Sequence, residues 1–171
     1  MRNLILFMTA VIILVLVNYN IRQREELIAG GRSVLLELAP VDPRSLMQGD
    51  YMALRFKIAN DAFPQDKLKT LKDGRIVLGL DSRNVGSFRR FDTGETAADE
   101  ALLRYRIRSG QPKFATNAFF FQEKQGDQYQ QAKFGEFRVA PDGEALLVAL
   151  RGADLQTIGP KDDSGRDMNK R

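Results

Sequence analysis

The chain has 171 residues, of which 43% are hydrophobic and 28% charged, with a net charge of +4 and neither cysteine nor histidine. The missing cysteines exclude disulfides, thiol nucleophiles and thiolate metal sites, and the missing histidines remove the commonest metal ligand and the usual general base at neutral pH. Three of the 26 basic and two of the 22 acidic residues lie in the first thirty, leaving 23 against 20, too small an excess for a nucleic-acid-binding field. No nucleic-acid partner, metal or cofactor is expected.

Leu4 to Val17 is apolar except for Thr9, with Arg2 before it and Arg22, Arg24, Glu25 and Glu26 shortly after. At about 1.5 Å per residue this run covers about 21 Å, less than a hydrocarbon core of roughly 30 Å, so a cleavable signal peptide competes with a permanent anchor. Asn18, Tyr19, Asn20 and Ile21 occupy the place where cleavage wants small residues. The expectation is therefore an uncleaved anchor: residues 1–30 form a transmembrane helix ended by Gly30-Gly31, with Tyr19 at the headgroups and Arg22 and Arg24 snorkelling. Basic residues on both sides leave the orientation nearly open on charge alone.

Residues 31–158 are enough for one domain. Val34, Leu36 and Leu38 alternate along a first strand, stopped by Pro40 and Pro43. Gly49 and Asp50 then mark a tight turn launching a strand over Tyr51–Ile58, antiparallel to the first. Leu54, Phe56 and Ile58 share its core face, and Tyr51 falls opposite, beside Arg55 and Lys57. A short helix carrying Leu68 and Leu71 is expected, capped by Asp66 and ended by Gly74.

Ile76–Leu80 reads as a buried central strand and Val85–Phe91 as another, followed by a polar loop to Glu100. Leu103, Tyr105 and Ile107 then alternate with Arg104, Arg106 and Arg108. Ala118–Phe121 is a short aromatic strand in which consecutive phenylalanines must point both ways, so at least one is core. Asp127–Lys133 offers a brief helix with Tyr129 and Ala132 inward, and Phe137 to Leu150 a hairpin around Pro141-Asp142-Gly143. Residues 159–171 are too polar to pack and read as a disordered tail. The fold expected is mainly β (α+β): an antiparallel sandwich or partial barrel with one or two short helices behind the transmembrane helix.

Gly49-Asp50-Tyr51-Met52-Ala53-Leu54-Arg55-Phe56 resembles the signature of the GDYXXLXY family, membrane-associated prokaryotic proteins whose biochemical activity is not established. The flanking Pro40-Val41-Asp42-Pro43-Arg44, Leu103-Arg104-Tyr105-Arg106 and Phe119-Phe120-Phe121-Gln122-Glu123 are similar to that family too. So are Phe134-Gly135-Glu136-Phe137-Arg138-Val139 and Gly143 to Val148, which brings the likeness to roughly Ser33–Leu155. Phe56 departs from the signature's final tyrosine, which keeps an aromatic packing role and removes any role for a phenol. The resemblance implies a single-pass protein of the bacterial inner membrane with its domain on the periplasmic, extracytoplasmic side. It also implies a polytopic membrane protein as partner, since members are often encoded beside one.

Three stretches carry a chemical reading beside a structural one. Asp92-Thr93-Gly94 matches the aspartic-protease triplet, yet such chemistry needs a second carboxylate, and a solvated turn suits its polar surroundings. The membrane-anchored type I signal peptidases also place a Gly-Asp pair at the start of a strand, with their nucleophile eight residues before the glycine. That position is Val41 here, and nearby Ser45 lacks the required context, which disfavours a hydrolase. Arg104, Arg106 and Arg108 suit either a solvated strand face or a surface for anionic headgroups or an acidic partner, and Tyr51 either packs under a loop or is exposed for recognition. The expectation that emerges is a non-enzymatic accessory or interaction subunit, held to the bilayer by its helix, with Tyr51, Arg104, Arg106 and Arg108 as its possible interaction surface.

Overall fold

The computed structural model describes residues 2–39, 47–48, 51–64, 68, 71–108, 110–121 and 126–159. Helix α1 (Arg2–Gly30) takes up the apolar run and continues through the charged stretch behind it. It is long and apolar enough to cross a membrane, and none of its apolar window is buried against the rest of the chain. The polar groups interrupting it turn back on the helix: Thr9 Oγ1, Asn18 Nδ2 and Asn20 Nδ2 donate to the carbonyls of Ile5, Leu14 and Leu16 at 2.9, 2.9 and 2.8 Å. Such back-bonding lowers the cost of placing these residues in an apolar medium.

The rest runs β1 (Arg32–Glu37), β2 (Met47–Gln48), β3 (Tyr51–Ala53), α2 (Lys57–Ala62), β4 (Gly74–Leu80), β5 (Gly86–Phe91), β6 (Glu100–Arg108) and β7 (Gln111–Phe114). It continues with β8 (Ala118–Phe120), α3 (Gly126–Tyr129), β9 (Phe134–Val139), β10 (Ala145–Arg151) and β11 (Thr157–Ile158). The strands form three antiparallel sheets of order β1-β9-β10-β11, β2-β3-β8 and β5-β4-β6-β7. The sheets are stitched together by backbone bonds: Leu35 N–H donates to Asn84 O, Ala39 N–H to Arg55 O and Arg104 N–H to Gly143 O, each at 2.8 Å.

All three sheets enclose one core. Val34 and Leu36 from β1, Ile76 and Leu78 from β4, Leu103 from β6 and Phe137 from β9 are fully buried in it, each pair two residues apart and so on one face of its strand. Phe56 stands at its centre, edge-on to Phe137 with ring centroids 5.4 Å apart and to Phe114 at 6.2 Å. Gly135 packs closely there: a Cβ on it would lie 3.1 Å from the Phe56 ring, tighter than ordinary van der Waals contact.

The mainly β fold behind an N-terminal apolar helix is as expected, and so are central β4, the β6 alternation and the β9–β10 hairpin. The signature strand is shorter: β3 ends at Ala53, and Ile58 is buried from helix α2. The two-residue rhythm of Leu54, Phe56 and Ile58 runs into the four-residue spacing of Ile58 and Ala62, and a single turn of helix leaves no other mark in the sequence. The first strand pairs with β9 rather than with β3, and meets the signature segment through the Leu38–Phe56 bridge and the Glu37–Lys57 ion pair at 3.0 Å. Gly74 opens β4 instead of closing a helix, while Asp66 lies outside the described residues, as do Gly49, Asp50 and the tail from 160. Strands β2 and β3, on either side of Gly49 and Asp50, pair antiparallel.

Candidate functional site

Strand β6 turns Leu103 and Tyr105 into the core and Arg104, Arg106 and Arg108 outward, so the arginine row is real and solvent-facing. Register adds cations to it, with Arg75 of β4 opposite Arg104 and Lys113 of β7 opposite Arg106. Arg75 Nε pairs with Asp92 at 2.8 Å, and Arg108 grips both oxygens of Asp73 at 3.1 Å. The Ile107 N–H, 2.8 Å from Asp73, holds that carboxyl below its ordinary pKa, helped by Arg108. Arg104, Arg106 and Lys113 have no ion pair among the described residues.

Two concavities flank the row. One of about 710 Å³ lies over β4 and β6, where Arg75, Asp73 and Asp92 join the arginines. Tyr105 lines it too, and burial raises its phenol pKa, followed by the charge of Asp73, so the hydroxyl stays protonated at neutral pH. The other, about 430 Å³, is bounded by the row, Lys113, Glu144 and Arg24 of helix α1. Arg24 thereby brings the end of the apolar helix to the same cationic surface.

Tyr51 stands elsewhere. It is half-buried on β3, opposite Phe120 of β8, with ring centroids 5.8 Å apart. Phe120 is 74% exposed, against 38% for Phe91, the other large exposed hydrophobic described in the β domain. Tyr51 belongs to the β2-β3-β8 sheet and Arg104, Arg106 and Arg108 to the β5-β4-β6-β7 sheet, so the expected surface divides between two sheets, an aromatic part and a basic one. Leu54 and Phe56 are core, at 3% and 1% exposure, and Phe119 and Phe121 close on Tyr129 at 5.1 and 5.3 Å.

Two buried carboxylates escape sequence reasoning. Glu100 accepts from Arg89, from Arg90 and from the Ala97 N–H, each at 3.0 Å, while Arg32 donates to the carbonyls of Glu100 and Ala98 at 2.7 and 2.9 Å. The Ala97 N–H lowers its pKa most, then Arg89. Glu136 accepts from Arg151 Nε at 2.7 Å and from Ser33 at 3.0 Å. Both tie separate strands together, and the sequence hints at burial only for Glu100, through the apolar Ala101-Leu102-Leu103 that follows it. Asp92 of the Asp-Thr-Gly triplet pairs with Arg75 and accepts from the Gly94 N–H at 2.8 Å; Thr93 and Gly94 are exposed as expected of a solvated turn, but the Asp92 side chain is only 10% exposed. Val41 and Ser45 lie outside the described residues.

A family model described as GDYXXLXY protein matches residues 13–150. No curated protein and no solved structure matches the chain.

Proposed function

The chain belongs to the GDYXXLXY protein family, and from that premise we propose a non-enzymatic, single-pass membrane-anchored domain serving as an accessory or interaction subunit of a larger, polytopic membrane protein. The domain sits on the periplasmic side of the bacterial inner membrane. The observation that carries the interaction role is Phe120: a phenylalanine three-quarters exposed on the outer strand of a short sheet, with its ring against that of Tyr51, is an exposed aromatic surface of the kind that anchors protein interfaces. The anchor limits the partner to one that meets the domain at the membrane. Gly31 alone separates α1 from β1, and its N–H donates to Leu27 O at 2.8 Å, so helix and domain are joined without a linker.

Crosslinking followed by recovery of the full-length chain from native membranes tests this. Phe120→Ser and Tyr51→Ala should each lower recovery of a polytopic partner, by roughly thirtyfold in affinity if about 2 kcal/mol of interface anchoring is lost, with the melting of the purified chain nearly unchanged. Undiminished recovery with both variants would refute the aromatic patch as the contact.

A further inference from the structure

We propose that the concavity shared by α1, β6, β7 and β10 binds the phosphate of an anionic phospholipid headgroup. The inference rests on the anchor in the function proposed above and is independent of the partner protein. A hydrocarbon layer of roughly 30 Å takes about 20 helical residues, so a span beginning at Leu4 ends near Gln23. Arg24 then stands at the level of the headgroup phosphates.

Arg24 lines one cavity with Arg104, Arg106, Arg108 and Lys113, five cations faced by a single lining carboxylate, Glu144. Of the five, Arg108 alone has an ion-pair partner among the described residues, Asp73. Guanidinium groups that outnumber the carboxylates beside them suit a phosphate, whose oxygens accept paired N–H donors. Phe114, Leu146 and Leu147 add an apolar side to the cavity, suited to the glycerol and first acyl carbons of the same lipid. An acidic protein would need carboxylates at that depth of the interface, whereas anionic headgroups are always there.

The chain has no cysteine, so Ala115→Cys, on the cavity lining and exposed, gives a single labelling site for an environment-sensitive fluorophore. The labelled full-length chain in neutral detergent is titrated with mixed micelles of phosphatidylglycerol, with mixed micelles of phosphatidylcholine, with inorganic phosphate and with polyglutamate. The expected result is a saturable response to phosphatidylglycerol, weakened by salt and at least tenfold stronger than to the other three. Arg104→Gln with Arg106→Gln should weaken it by more than tenfold, taking about fivefold per cation, at an unchanged melting midpoint. Lys113→Gln, a single change on an edge strand, should weaken it about fivefold and decides the matter if the double variant fails to fold. Phe120→Ser should leave the response intact, which separates this site from the partner surface. Equal responses to the two lipids, an equal response to phosphate, a stronger one to polyglutamate, or unchanged affinity in the folded variants would each overturn the proposal.

Discussion

Glu100 shows how one buried charge organises its surroundings. Its carboxylate is met by one backbone N–H and two arginines, and the carbonyl behind it by Arg32 of β1, so the strand, the preceding loop and the first strand converge on it. Because its pKa is depressed in the folded chain, the unfolded chain takes up the proton first as pH falls. Stability is therefore full above the ordinary glutamate value of about 4.3 and is lost as pH drops through the folded value, with Asp73 and Asp81 shifted the same way. Glu100→Gln should lower the melting midpoint at pH 7 and flatten its fall under acid; a variant with the wild-type acid slope would contradict this. Phe56→Ala should cost about 3–5 kcal/mol by denaturant titration, since its ring is 1% exposed among Phe114, Phe137 and the close-packed Gly135. The core role of Leu54 and Phe56 was legible from their spacing. The Glu100 cluster was not, because its partners are recruited from separate stretches of chain and leave no period.

Strands and turns are most legible where one residue type forces the geometry. Gly143 takes φ +88° between β9 and β10, and a Cβ there would lie 3.2 Å from both the Arg104 nitrogen and the Leu102 Cβ. Gly143→Val should thus destabilise the hairpin and its contact with β6 by about 1–3 kcal/mol, measured against wild type in urea, and a neutral effect would mean that the turn relaxes freely. Strand β7 is not legible in the sequence because Pro112 disfavours a strand; proline is tolerated at the sheet's edge, where Pro112 lies opposite Ile107. Helix α2 was unreadable for the opposite reason, since six residues hold too few turns to separate its period from that of the strand before it.

In the molecule taken whole, a continuous helix leads through one glycine into the β domain, and the basic concavity sits where the two meet. A permanent anchor predicts that the chain resists carbonate extraction and that its mature form retains residues before Asn20, as N-terminal sequencing would show. An exported domain predicts activity from a fused reporter enzyme that matures only outside the cytoplasm. The N-terminal apolar helix and the β class are visible in the sequence through composition and alternation. The separation of Tyr51 from the arginines was hidden, since it depends on β3 pairing with β8 while β6 pairs with β4 and β7. A photo-crosslinking amino acid placed at position 120 in the full-length chain in native membranes, with position 83 on the exposed turn before β5 as control, tests the interaction role. A discrete adduct with a larger integral membrane protein from position 120 and none from position 83 is the expected result; adducts that are absent, or the same from both positions, would contradict it.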